Sequence, residues 1–321
     1  MKKILAVILA ALLLTGCAAP AKAPAADKLQ IIATIFPEYD WVRQILGDTD
    51  SCDLTLLLDR GVDLHSFQPT ADDIVRISNC DLFIYVGGES DEWVEDVLQE
   101  AKNADLVAVN LLDLLGERVK AEETIEGMQE SEEEEHEHDE DEEELDEHVW
   151  LSLSNAAFIC DHLAGQLAAL DPANADAYQA NTQSYIAKLD ALDEQYRQAV
   201  AAGNHNTLLF ADRFPFRYLV DDYGLSYYAA FVGCSAETEA SFETVSFLAR
   251  KVDELELPAV LTIEGGDQKI AQTVVSSTAG KNQPILCMNS LQSVTAKDVE
   301  NGASYLSAME QNLDALKQAL Q

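Results

Sequence analysis

The chain has 321 residues, 48% of them hydrophobic, with 20 lysines and arginines set against 58 aspartates and glutamates for a formal charge of −38. This length is enough for two domains with separate cores. The charge excludes nucleic acid as a partner, because nothing here neutralises phosphates, and it favours cations instead.

Lys2-Lys3, the apolar run Ile4 to Leu14 and the ending Leu14-Thr15-Gly16-Cys17 read as a secretory signal over residues 1–16. The run is too short to cross a bilayer as a mature helix. Its ending resembles a bacterial lipobox, which would make Cys17 the lipid-modified first residue and hold the chain on the extracytoplasmic face of the cell membrane. Residues 17–27, rich in Ala and Pro, then form a tether. Without Lys2 and Lys3 the charge becomes −40. Five further cysteines remain: Cys52, Cys80, Cys160, Cys234 and Cys287. Their odd number leaves at least one free, and no Cys-x-x-Cys supports a zinc knuckle or a redox site. Pairing of Cys52 with Cys80 or of Cys234 with Cys287 stays open, as do buried free thiols.

The first lobe spans residues 28–172. Leu29 to Phe36 is a buried-strand signal, and Tyr39 to Leu46 has helical spacing closed by Gly47. Cys52 to Leu58 reads as a strand, and Pro69-Thr70-Ala71-Asp72 opens a helix through Ile77. Asp81 to Val86 is a strand, Ser90 caps a helix containing Trp93, Val94 and Val97, and Leu106 to Leu111 is a further strand. Strand–helix alternation at this pitch predicts an α/β fold of two lobes, each a mostly parallel sheet flanked by helices.

Residues 130–147 interrupt the alternation. Fourteen carboxylates crowd this stretch with a single apolar residue, Leu145, so it is a solvated loop. Setting these acids aside still leaves −26, so the globular part is acidic as well. His136 and His138 sit among the acids and are candidate donors for a passing divalent cation. Order returns abruptly at His148-Val149-Trp150.

A helix covers Asn155 to Leu170, and residues 173–201 form one long connecting helix. On it Tyr178, Tyr185, Leu189, Leu192 and Tyr196 make a single apolar stripe. The second lobe, residues 202–321, repeats the alternation. Strands are expected at Thr207 to Ala211, Ser226 to Phe231, Ala259 to Ile263 and Pro284 to Cys287. Helices are expected at Phe214 to Tyr223, Ser241 to Val252, Gln268 to Ser277 and Ala296 to Leu320.

Ligands of open α/β sheets sit outside the carboxyl ends of strands. Four donors occupy such places: His65 after the second strand, His148 after the acidic loop, Asp212 after Thr207 to Ala211, and Glu264 ending Ala259 to Ile263. Two imidazoles and two carboxylates suit Zn(II), and Mn(II) also accepts them. His162, mid-helix, and His205 read as structural.

The sequence resembles the solute-binding lipoproteins of zinc and manganese ABC importers over nearly all of the mature chain. The resemblance is carried by Ile35-Phe36-Pro37, Gly61 to Asp73 around His65, Asp81 to Tyr85, His148-Val149-Trp150-Leu151, Tyr223-Gly224-Leu225 and Asn312-Leu313. It implies two α/β lobes joined by a rigid helix, with Zn(II), or else Mn(II), captured between them and passed to an ABC permease by a membrane-tethered monomer. One departure stands out. Counting back from Tyr223-Gly224-Leu225, the family's third ligand falls on Arg213, which cannot ligate because its guanidinium stays protonated. Asp212 is the expected substitute; for the fourth ligand the resemblance implies Glu264, with Asp267 as the alternative and Glu237 and Glu239 ranked lower. A metallohydrolase is the competing class, but no His-Glu-x-x-His is present, and four protein donors would close the position a catalytic zinc keeps open. An adhesin with a structural metal is the third reading.

Overall fold

The computed structural model describes residues 28–129, 144–235 and 239–321; Cys17, His136, His138 and Glu237 lie outside them. Each half of the chain builds one four-stranded sheet. The first has the order β2-β1-β3-β4, from β1 (Leu29–Ala33), β2 (Cys52–Leu56), β3 (Leu82–Tyr85) and β4 (Val107–Asn110). The second has the order β6-β5-β7-β8, from β5 (Thr207–Phe214), β6 (Ser226–Val232), β7 (Val260–Ile263) and β8 (Ile285–Met288). All pairings are parallel. The strand order reverses beside β1 and beside β5, so each sheet has a crevice at its carboxyl edge.

Local chemistry explains the elements. Ile31, Ile32 and Ala33 of β1 are buried, as expected of a central strand covered on both faces. Thr70 caps the helix Ala71–Asn79 in a reciprocal box with Asp73. The connecting helix runs Ala175–Ala202, and Tyr178, Tyr185, Leu189, Leu192 and Tyr196 are all buried along it. Each such fully buried leucine contributes about 2 kcal/mol. Tyr196 also donates its hydroxyl to the Met309 carbonyl at 2.6 Å.

Four details depart from the expectations. The predicted closing helix is two, Ala296–Glu300 and Tyr305–Ala319, separated where Gly302 takes φ +91°. A short helix, Leu111–Leu115, follows β4 directly, capped by Asn110. Ser90 does not cap a helix: it lies in a 3-10 turn, Glu89–Asp91, ahead of Trp93–Gln99, and its side chain is engaged elsewhere. Finally, β5 continues past Ala211 to Phe214, with an irregular register between Phe210 and Arg213 against β6, so Asp212 lies within the strand. All five described cysteines are free thiols.

One apolar core runs through both lobes, and a smaller cluster packs on another face of the second sheet. The helix Tyr305–Ala319, late in the chain, binds back to the first lobe. Tyr305 donates its amide to Asp40 at 2.7 Å and its hydroxyl to the Trp150 carbonyl at 2.7 Å. Trp150, fully buried, donates its indole N–H to the Ser290 carbonyl just past β8 at 2.8 Å.

Candidate metal seat

Two histidines meet where the carboxyl edges of the sheets face each other. His65 lies in a 3-10 turn, Leu64–Ser66, after β2. Asp63 caps that turn, accepting the His65 amide at 3.1 Å. His148 opens the turn Val149–Leu151, and its side chain is completely buried. The two Nε2 atoms are 3.2 Å apart.

The hydrogen-bond pattern assigns their protons. Nδ1 of His148 lies 3.0 Å from Asp146 Oδ1, which only accepts, so Nδ1 carries a proton and Nε2 is the atom turned to the seat. Nδ1 of His65 lies 2.8 Å from the Ser90 hydroxyl and 3.5 Å from Glu147 Oε2, which favours the same tautomer. Burial, then the neighbouring His148, pushes His65 down to about 3, so its imidazole is neutral at neutral pH. With both Nδ1 atoms engaged behind the rings, the two Nε2 atoms are left facing each other, where a shared cation can take both. Two nitrogens about 2.0–2.1 Å from one tetrahedral zinc lie about 3.3 Å apart, close to the observed separation. Carboxylate and hydroxyl groups behind the imidazoles are the outer partners that fix ring orientation at metal sites.

The sequence-predicted donors of the second lobe are placed differently. Asp212 accepts the Arg213 amide at 2.9 Å and the Ile263 amide at 3.2 Å, so it bridges β5 to β7 at the irregularity. Burial raises its carboxyl above the usual range. Glu264 accepts the Ser290 amide and hydroxyl, each at 2.7 Å, which engages both of its oxygens. Asp267 is exposed and pairs with Lys269. Glu239 is exposed, His162 pairs with Gln166, and His205 lies in the loop between the connecting helix and β5. None of these joins the histidines.

What does join them is Cys234, two residues past β6. Its sulfur and the donor nitrogens of His65 and His148 all lie within 4.8 Å of one another. Sequence reasoning passed over it because it belongs to no motif. The available signal was its place just beyond the carboxyl end of a strand, behind Gly233. That glycine is required there: a Cβ on it would lie 2.8 Å from Cε1 of His148 and 3.0 Å from the Phe214 carbonyl. Glu122 of the first lobe accepts the Cys234 amide at 3.1 Å. Burial raises the Cys234 thiol well above its ordinary value, and the Glu122 and Glu147 charges add to this.

Arg213, standing where the resemblance puts a ligand, is a strut. Its guanidinium reaches Asp63 at 2.6 Å, across the lobes, and the Ser235 carbonyl at 3.3 Å. Burial opposes ionisation of Asp63, but Arg213 and His65 outweigh it and hold its carboxyl below the usual range.

A pair of α/β sheets sharing a core, with a buried imidazole pair between their carboxyl edges, defines the class of two-lobed binding proteins. A family model described as zinc-uptake complex component A, periplasmic, matches residues 31–319, and the chain belongs to that family. A prokaryotic membrane lipoprotein lipid attachment site matches residues 1–18, which makes the protein a lipid-anchored extracytoplasmic one. Among the described residues no helix is long and apolar enough to cross a membrane. The chain is 32% identical to the zinc-binding lipoprotein AdcA of Streptococcus pneumoniae over 99% of its own length, and spans 61% of that relative. It is also 32% identical to the high-affinity zinc uptake system protein ZnuA of Bacillus subtilis, covering 92% of this chain and 88% of that one. The crystal structure of the Zn(II)-bound ZnuA-like domain of S. pneumoniae AdcA superposes with TM-score 0.70 at 26% identity, over 91% of this chain and 99% of that domain. The expected fold of two parallel-sheet lobes is therefore borne out.

Proposed function

We propose that this lipoprotein captures Zn(II) between its lobes, with His65 and His148 as the seat, and delivers the ion to the permease of an ABC importer. The observation that carries the reading is the pair of facing Nε2 atoms 3.2 Å apart, each ring held through its Nδ1. The relatives named for zinc binding and zinc uptake support it. The protein acts as a carrier and not as a hydrolase. The full enclosure of His148 and the 11% exposure of the His65 side chain support this reading, because an ion needs less room than an ester or a peptide. Imidazole donors favour zinc over manganese.

Calorimetric titration of the metal-free protein with Zn(II) and with Mn(II) tests this. The parent should bind one zinc tightly and manganese more weakly. His65→Ala and His148→Ala should each weaken zinc by about tenfold or more, at least about 1.4 kcal/mol. Parent-like zinc affinity in both variants would place the seat elsewhere.

A further inference from the structure

We infer that Cys234 supplies the metal donor of the second lobe as a thiolate, in place of a carboxylate or imidazole from β5, and that this sulfur sets the preference for zinc over manganese. The inference rests on the proposed capture of metal at His65 and His148. Three independent features point to it.

The first is position. Among the described residues, only His65, His148 and Cys234 form a group of three metal-binding side chains with mutually close donor atoms. A nitrogen and a sulfur on one tetrahedral zinc, at about 2.0 and 2.3 Å, lie about 3.5 Å apart. The observed cluster, with its atoms within 4.8 Å, therefore needs only a small contraction to close on an ion.

The second is the commitment of the alternatives. Both Glu264 oxygens serve Ser290, and both Asp212 oxygens accept backbone amides. These bonds hold both carboxylates away from the histidines, and a shift toward the seat that broke a bond to a buried amide would cost about 1–3 kcal/mol. Cys234 is anchored through its amide to Glu122, and its sulfur engages the Glu122 carboxylate and the Glu147 backbone, which keeps it beside His148.

The third is the strut. Arg213 holds the Ser235 carbonyl, next to Cys234, and the Asp63 carboxylate, which caps the turn of His65. One guanidinium thus sets the distance between the thiol loop and the imidazole loop. A residue that cannot ligate occupies the expected ligand position because its task is to hold the loop that carries the substitute. Chemically, a thiolate is a soft donor that suits zinc and cobalt far better than manganese.

The test uses the mature full-length protein, stripped of metal and loaded with Co(II) as a spectroscopic stand-in for zinc. The parent should show the near-ultraviolet sulfur-to-cobalt charge-transfer band. Cys234→Ser should lose the band, whereas Cys287→Ser, which removes an exposed thiol, should keep it. In competition with a chromophoric chelator, Cys234→Ser should weaken zinc by about a hundredfold and manganese by less than about threefold. Thermal melts of the metal-free proteins establish that the variants fold. If the parent binds zinc tightly but shows no such band, the inference falls while the capture function stands. A loss of zinc affinity on Asp212→Asn, with none on Cys234→Ser, would likewise return the donor role to β5. A parent that takes up neither cobalt nor zinc overturns both readings.

Discussion

Replacing Glu38 by glutamine should flatten the fall of stability with pH in the metal-free protein. Glu38 is fully buried beneath the carboxyl end of β1. Its Oε2 accepts from the Thr34 amide, the Thr34 hydroxyl and the Ile35 amide, while its Oε1 has no partner. Burial, reinforced by the charge of Asp91, raises the carboxyl from 4.5 to about 8. A carboxyl raised in the folded state contributes stability that is complete below its unfolded value and is lost as pH climbs through the folded one. The rise is worth about 5 kcal/mol in all, at about 1.4 kcal/mol per pH unit. Between about pH 6 and about pH 8, urea unfolding followed by circular dichroism should show the parent losing about 2–3 kcal/mol more than Glu38→Gln. The amide mimics the protonated acid, so the two proteins should be close in stability near about pH 5. Parallel pH profiles for parent and variant would refute the reasoning and mean that Glu38 is ionised in the folded protein.

Ser90→Ala removes the hydroxyl behind His65 Nδ1 and should weaken zinc by about tenfold with unchanged stoichiometry, the usual scale for an outer partner; calorimetry with no change in affinity would make Ser90 a bystander. Leu189→Ala, at a fully buried position of the connecting helix, should cost about 2–5 kcal/mol in urea unfolding, and a cost below about 1 kcal/mol would show that the stripe tolerates collapse. Cys17→Ala should release the protein from the membrane fraction or leave it unprocessed, and continued membrane association of a correctly cleaved variant would rule out the lipid anchor.

Much of this fold is legible in the sequence because its strands are short apolar runs separated by helices of clear period, and the stripe from Tyr178 to Tyr196 marks the connecting helix at once. The histidines of the first lobe are legible for a similar reason: each stands at the exit of a recognisable segment. The second lobe hides its chemistry. Asp212 looks like a residue released by a strand, yet β5 runs on through it, and the local irregularity turns its carboxylate to the amides of Arg213 and Ile263. Glu264 does end its strand, but Ser290, distant in sequence, takes both of its oxygens. Cys234 carries no local signature at all, and becomes visible only when β6 delivers it beside an imidazole from the other lobe. Contacts of that kind are set by tertiary packing, which no window of neighbouring residues records.

The core that passes uninterrupted from lobe to lobe bears on how cargo leaves. With Trp150 bonded to Ser290 and Tyr305 bonded to both Asp40 and Trp150, opening the molecule like a clam would tear buried hydrogen bonds as well as apolar packing. A receptor built this way spends little of its time in a gaping, incompetent form, so its intrinsic affinity is not diluted by a population that must first close. On the proposed capture role, the same stiffness would slow unaided escape of an ion from the seat. On the proposed carrier role, a partner that unloads the ion would have to act at the His65 turn and its Asp63–Arg213 tie, because parting the shared core is the costlier route.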